Sequence, residues 1–340
     1  MKAARLHAFG QPLVLEDVPD PVPGADDVLV QTHVCGIDGT DLKLLDGFGY
    51  TPELPFVMGH EIAGVVADVG RNVSDVHAGD RVIVYNFLVC GHCPYCLTYR
   101  EQLCVNMRGV VGVLKAPGGY GEFVRVPARQ VVCLPDHVAW ADGAICCDAG
   151  LTAFHALDRS QARIGETVVI IGIGGVGAVL TQLARRAGLH VVAVDHAAER
   201  EAWALENGAH EFLDSTRVNV ADAVRERTHG LGADCVIDVV GKETTLRDGV
   251  NALRRGGRLV VVGYTPDLYP ISGKQLAQNE LELIGTRAGR RQDLRACVEL
   301  VADGAIQSIV RYQYPLEQAN VALDHLRSGT ALGRIVLTLK

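Results

Sequence analysis

Four cysteines, Cys90, Cys93, Cys96 and Cys104, put sulfur donors into one short stretch of chain. Thiolates at three-residue steps with a fourth nearby can close a tetrahedral shell on zinc, and four protein ligands leave no position open for a substrate. The chemistry expected there is structural. His92, inside the stretch, is read as a bystander; a redox pair or buried core thiols is the competing reading. The second constellation is Gly172-Ile-Gly174-Gly175-Val176-Gly177, directly after the apolar run 167–171. Glycines at this spacing allow a tight turn and close backbone approach to a pyrophosphate, and a following helix offers it free N–H groups. Asp195 ends the next apolar run, 18 residues beyond Gly177, where a carboxylate can accept hydrogen bonds from a ribose. A tight turn plus a capping aspartate is the bland alternative. Because Asp195 would repel a 2′-phosphate and His196 is no permanent cation, NAD is expected over NADP. Arg200 is the nearby cation that could meet a phosphate in another geometry.

Residues of these types need rigid elements behind them. Up to about residue 134 the sequence reads as short strands, 27–34, 61–69, 81–85, 121–126 and 131–134, broken by Gly, Pro and Asp. A mostly β domain follows from that pattern. From about residue 141 to 159 the pattern turns helical, and then strands 167–171, 190–195, 235–240 and 258–262 alternate with helices such as 176–187 and 218–228. Buried strands alternating with helices predict an α/β architecture with a parallel doubly wound sheet. A helix at 292–304, a helix start at Pro315-Leu316-Glu317 and a last strand at 333–339 complete the chain, the last strand being expected to return to the first domain.

Composition narrows the function. At 340 residues the chain is about twice a ~150-residue domain, so two domains, or one interrupted by another, are expected. Hydrophobic residues at 48% and charged residues at 21% supply a core and argue against disorder. A net charge of -8 argues against nucleic acid as a partner, since that requires clustered Lys and Arg to displace counterions. No apolar run reaches the ~18–20 residues of a membrane span, and residues 1–12 lack a basic segment followed by an apolar one. A cytoplasmic protein with a small-molecule substrate is the expectation, and ten cysteines in such a chain read as metal ligands or small hydrophobes.

With both motifs in hand, the chain resembles the zinc-containing medium-chain alcohol dehydrogenases over essentially its full length. Further matching stretches are Gly59-His60-Glu61-Ile-Ala-Gly64, Gly79-Asp80-Arg81-Val82, Gly118-Gly119-Tyr120-Gly121-Glu122-Phe123, Gly256-Gly257-Arg258-Leu259, Glu280 to Gly289, and Gly333-Arg334-Ile-Val. The resemblance implies a GroES-like catalytic domain built from residues 1–148 and 288–340, with a Rossmann NAD-binding domain, 149–287, inserted. It implies NAD and two zinc ions per chain, one catalytic and one structural on loop 90–104, and a homodimer or homotetramer. Thr152 and Gly263 join Gly172, Gly174, Gly175, Val176, Gly177, Asp195 and Arg200 as the implied cofactor-binding set.

The catalytic metal of that family sits on cysteine, histidine and cysteine, and here the pattern departs twice: Asp38-Gly39-Thr40-Asp41 and Asp148-Ala149-Gly150-Leu151-Thr152 carry aspartate where cysteine is usual. A centre of Asp38, His60 and Asp148 is chemically sound, since carboxylate and imidazole both bind zinc near ~2 Å. Aspartate at the first position also resembles the haloarchaeal glucose dehydrogenases. Two alternatives remain: Cys35, Cys146 or Cys147 ligating through a shifted register, and loss of the metal as in zinc-free quinone reductase relatives. Against the shifted register, Cys35 and Cys147 stand odd steps from Asp38 and Asp148, and on extended segments such neighbours face opposite ways. By the resemblance, Thr40 accepts the substrate proton, Asp41 orients His60, Glu61 lies behind or on the metal, and Lys43 takes the place of a relay histidine. The expected reaction is NAD-dependent oxidation of a secondary alcohol or polyol, or its reverse. A zinc-free enoyl or quinone reductase and a catalytically silent NAD-binding protein are the rival classes.

Overall fold

The computed structural model describes residues 1–339; Lys340, the final residue of the expected return segment, lies outside the described residues. The chain forms two compact units. One comprises Met1–Asp148, Arg290–Gly304 and the C-terminal stretch from Ser308; the other comprises Ala149–Gly289 with Ala305–Gln307.

The first unit is built on strand Asp27–Ile37, whose buried face carries Val28, Val30, Cys35 and Ile37. It pairs antiparallel with Glu61–Val69, Phe123–Pro127 and Arg334–Thr338, and the sheet continues outward through Arg81–Val84 and Val131–Cys133 on one side and Val310–Pro315 on the other. The C-terminal strand therefore lies beside the first long one, with Ile335 opposite Ile37 and Val336 opposite Gly36. Strands Lys2–Leu6, Val14–Asp17 and Phe56–Val57 make a smaller sheet. The strand expected at 121–126 starts instead at Phe123, because Gly121 makes only an isolated bridge to Ala3.

The second unit holds, among the described residues, a six-stranded parallel sheet in the order Glu211–Asp214, His190–Asp195, Thr167–Ile171, Ala233–Asp238, Leu253–Val261, Glu282–Gly285. The chain runs one way from the central Thr167–Ile171 strand and then returns to its other side, which is the doubly wound order with a switch point beside that strand. Val168, Val169, Ile170, Val192 and Val236 are fully buried, each worth roughly 1.5–3 kcal/mol of transfer free energy. Two expected strands shift. The one at 235–240 ends at Asp238, whose Oδ1 accepts the N–H groups of Val240 (2.8 Å) and Gly241 (3.0 Å) and bends the chain into a turn. The one at 258–262 begins at Leu253, which pairs with Ala233, and an irregularity over Arg254 to Gly257 separates it from the regular pairing that starts at Arg258. Among the described residues no helix is long and apolar enough to cross a membrane.

Candidate active site and metal centres

Asp38 directly follows the central strand of the first unit and is the N-cap of helix Gly39–Leu45. Its Oδ1 accepts the N–H groups of Thr40 (2.8 Å) and Asp41 (3.4 Å), while its own N–H donates to Asp41 Oδ2 at 2.9 Å, a reciprocal cap that aspartate makes well. The Thr40 hydroxyl donates to Asp38 Oδ2 at 3.3 Å. A side chain that caps a helix is thereby also aimed at His60, whose Nε2 stands 3.6 Å from Asp38 Oδ1. On its other edge the imidazole Nδ1 lies 3.7 Å from Asp41 Oδ1, so Asp41 flanks His60 from the same helix.

Glu61 opens strand Glu61–Val69 opposite Gly36. The position needs glycine: a Cβ at Gly36 would fall 1.8 Å from Glu61 Oε2. Glu61 Oε1 accepts a hydrogen bond from the guanidinium of Arg334, both groups being buried, and Oε2 is buried without a hydrogen-bond partner. Asp148 arrives from a different direction, within the π-helical turn Cys146–Gly150 that follows helix Trp140–Ile145. This corrects the extended-segment argument about Cys147. On a helical turn neighbours do not alternate, yet Cys147 Sγ still points elsewhere, to the carbonyl of Ile62 at 3.5 Å. Cys35 Sγ turns toward the carbonyl of Gly36. One ligand atom each from Asp38, His60, Glu61 and Asp148 falls within 4.8 Å of the others.

The electrostatics are those of a largely buried charge cluster that keeps some solvent access at Asp148. Desolvation opposes a charged His60, but Asp38, Asp41 and Asp148 outweigh it and hold the imidazole pKa well above its usual value. Desolvation likewise opposes ionised Asp38, and here His60, Arg334 and the Thr40 N–H win, lowering its pKa. Asp148 is pushed up to about 6, first by desolvation and then by Asp38. Desolvation lifts Glu61 to about 8 even with the Arg334 guanidinium against it. Three carboxyls and an imidazole so placed have the donor chemistry of a divalent-cation site, and the family's zinc fits them. Lys43 lies one turn past Thr40 on the same helix, half-buried, its pKa lowered by desolvation against the pull of Asp38 and Asp148.

The cysteine loop is simpler. Four Sγ–Sγ separations among Cys90, Cys93, Cys96 and Cys104 run from 3.5 to 3.9 Å, around the ~3.8 Å edge of a tetrahedron with ~2.3 Å zinc–sulfur bonds. N–H groups of Cys96 and Val105 help pull the Cys93 thiol down to about 6. His92 turns its Nδ1 to the Cys90 carbonyl, 3.0 Å away. The loop is pinned by buried Glu101, which accepts the Arg291 N–H at 3.0 Å.

In the second unit Gly174 caps helix Gly175–Arg186 without any side-chain hydrogen bond, so the first N–H groups face outward. Val176 sits in that first turn, and a Cβ at Gly177 would lie 2.0 Å from the Gly172 carbonyl oxygen. Asp195 is more occupied than its sequence position suggests: Oδ2 accepts the Ile173 N–H at 2.8 Å and Oδ1 that of His196 at 2.8 Å. Arg200 Nη1 is 3.5 Å from Asp195, and Gly263 donates its N–H to the Asp238 carbonyl. Thr152 is buried on helix Leu151–Ser160.

Two contributors stand in the sequence only as members of matching stretches, with no role attached. Arg334 stands 273 positions from Glu61 and meets it only because the last strand pairs beside the first long one. Tyr120, fully buried, packs its ring against Gly59 beside His60.

The signature of the alcohol dehydrogenase GroES-like domain matches residues 24–136, and that of the zinc-binding dehydrogenases matches residues 175–303. An alcohol dehydrogenase of Geobacillus stearothermophilus is 36% identical over 339 residues, covering 99% of both proteins. An NAD-dependent alcohol dehydrogenase of Sulfolobus acidocaldarius is 35% identical, again over 99% of each. Among solved structures, the alcohol dehydrogenase of the archaeon Aeropyrum pernix superposes with a TM-score of 0.93 at 32% identity, covering 99% of this chain and 100% of that one. Agreement of that extent, joined to the cysteine loop and the glycine turn, places the chain in the zinc-containing medium-chain alcohol dehydrogenase family.

Proposed function

We propose that the protein is an NAD-dependent, metal-dependent dehydrogenase that oxidises a secondary alcohol or polyol to the carbonyl compound, or runs the reverse reduction. The observation that carries this is the closed group of Asp38, His60, Glu61 and Asp148, four ligand atoms within 4.8 Å, in the same chain as the Gly172 to Gly177 turn. Asp38, His60 and Asp148 would hold the catalytic ion, with Glu61 behind it, and the four cysteines a structural zinc. When bound, the ion supplies Lewis acidity toward the substrate oxygen and NAD supplies the hydride acceptor.

The chain's own residues do the remainder. Asp41 keeps the His60 ring oriented so that Nε2 faces Asp38. Thr40, whose hydroxyl sits 3.3 Å from Asp38 Oδ2, relays the hydroxyl proton of the alcohol, accepting it as its own hydroxyl proton is passed on. Lys43, whose ammonium loses its proton more readily because of burial, is the next proton-carrying group on that helix and accepts as the neutral amine. Arg334 holds the Glu61 carboxyl through its hydrogen bond and keeps it from swinging away. For the cofactor we assign Gly172, Gly174, Gly175, Val176 and Gly177 to the pyrophosphate, with Asp195, Arg200, Thr152 and Gly263 completing the set.

A cytoplasmic location and a homodimer or homotetramer belong to the same proposal. For assembly, the support is strand Glu282–Gly285, an edge of the parallel sheet with Leu283 exposed, which a second copy could cover. The test is metal content per chain together with an alcohol and polyol panel in NAD and NADP. The Asp38→Asn/Asp148→Asn variant serves as control, since asparagine preserves the helix cap. Two ions falling to one, with NAD-linked turnover lost, supports the proposal. One ion in both proteins, with reduction of conjugated double bonds, would replace it with a zinc-free reductase.

A further inference from the structure

Two candidate metal sites of opposite donor character lie in one unit of this chain. The loop site offers four sulfurs. The buried site offers one imidazole nitrogen and carboxylate oxygens from Asp38, Asp148 and Glu61, and no sulfur atom belongs to the group. Glu61 Oε2, fully buried and without a hydrogen-bond partner, is an oxygen donor already desolvated beside the others. The Asp38 and Asp148 carboxyls lie close enough to share a side-chain hydrogen bond, so one ion can meet both. Such a set can extend beyond three protein ligands, and oxygen donors suit ions that favour five or six ligands, whereas sulfur donors hold zinc tetrahedrally.

We infer that the Asp38–His60–Asp148 centre is a hard-donor site that accepts Mn2+, Fe2+ or Co2+ as well as Zn2+ and exchanges its ion readily, while the cysteine loop retains zinc. The inference rests on Asp38, His60 and Asp148 being the ligands proposed above. The physical reason is a change of softness at constant charge: replacing two thiolates by two carboxylates keeps the formal charge of the site but removes the polarisable sulfur that favours zinc over manganese.

The experiment equilibrates the intact protein with chelator-buffered Zn2+ and Mn2+ chlorides. Bound metal is counted per chain by mass spectrometry, with the Mn2+ electron spin resonance spectrum as a second readout. Asp38→Cys/Asp148→Cys is the comparison variant. We expect the wild type to carry zinc in one position and manganese in the other, with a zinc-over-manganese preference at least about tenfold smaller than in the cysteine variant. Two ions per chain with equal preference in both proteins would overturn the inference and leave the proposed ligands standing. A single ion per chain at saturating metal would overturn the ligand assignment with it. If the cysteine variant does not fold, release of the two ions from wild type to excess chelator decides: a fast phase, absent from Asp148→Asn and at least about tenfold faster than the other, is expected. Two equally slow zinc ions would refute the inference.

Discussion

The two candidate metal centres are assembled by opposite strategies. Cys90, Cys93, Cys96 and Cys104 lie within one loop, so a turn of helix at Pro94–Leu97 and the short backbone between them bring the sulfurs to 3.5–3.9 Å. Asp38, His60, Asp148 and the supporting Arg334 come from the end of one strand, the start of another, a π-helical turn and the C-terminal strand. The four sulfurs of the loop are gathered by neighbouring backbone, whereas the buried centre draws on several separate elements of its unit and exists only once they are assembled. A local site therefore depends on metal for its structure, and a distributed site depends on structure for its metal.

The largest expected effect tests the second half of that contrast. Asp38→Asn/Asp148→Asn keeps the helix cap and the side-chain volumes but removes both anionic donors. We expect kcat/KM on the alcohol identified by the panel to fall by about 10³-fold or more, on the order of 4 kcal/mol of transition-state stabilisation. The urea midpoint should stay close to wild type, because neutral amides relieve the desolvation and the like-charge crowding that lift Asp148. Loss of the fold along with activity would mean that the carboxylates are structural first.

Arg334→Met comes next and strikes the sheet's contribution. It strands the buried Glu61 carboxyl opposite Gly36 without its cation, and breaking a buried pair in this way costs about 3–5 kcal/mol. Urea unfolding of Arg334→Met, Glu61→Gln and the double variant measures it. We expect the double to recover at least half the loss, as residues in direct contact do not add. If the losses simply add, the two side chains are independent, and the distributed centre does not rely on the C-terminal strand.

How legible each centre is in the sequence follows from the same contrast. Cysteine spacing is local, so the loop can be read from positions 90 to 104 alone. So can the glycine turn, because an apolar strand, the turn and the helix succeed one another along the chain. The apolar runs at 167–171 and 190–195 become strands with those bounds, since a fully buried parallel strand leaves little freedom in its composition. His60 and the two aspartates were recognisable only through a resemblance, for nothing in residues 38, 60 and 148 reports that they meet. Arg334 was visible only as part of a matching stretch, its partner set by strand pairing. The occupied state of Asp195 was hidden too, because its bond to the Ile173 N–H joins the end of one strand to the turn after another, 22 positions away. Element ends failed where side chains, and not hydrophobicity, decide them, as at the Asp238 turn.

Cys93→Ser tests the local half of the comparison with a smaller effect. Removing one thiolate should release the loop's zinc and raise the rate of proteolytic cleavage within 90–104 by about tenfold. Mass spectrometry should still find the ion at the Asp and His centre, since the strands carrying it do not pass through the loop. Simultaneous loss of both ions would show that the loop supports the sheet through the Glu101 to Arg291 contact, and the two centres would then be one system.

The smallest effect is also the sharpest probe of how tightly the distributed centre is built. Tyr120 is fully buried with its ring against Gly59 and its hydroxyl without a hydrogen-bond partner. Were the hydroxyl merely stranded, Tyr120→Phe would remove a desolvated polar group and leave stability unchanged or raised by about 1 kcal/mol, with metal affinity untouched. Asp41 Oδ1 and His60 Nδ1 are buried beside it, likewise without partners at hydrogen-bond distance, and burial next to Asp41 holds the Tyr120 phenol protonated as a donor. We therefore expect Tyr120→Phe to leave the urea midpoint within about 1 kcal/mol of wild type while weakening the buried ion's affinity severalfold, as loss of support behind a metal-binding histidine does. Tyr120→Leu, which empties the space under Gly59 as well, separates the ring's packing from the hydroxyl. If phenylalanine matches wild type in metal affinity and leucine does not, Gly59 and His60 are positioned by packing alone, and the distributed centre ends at Asp41.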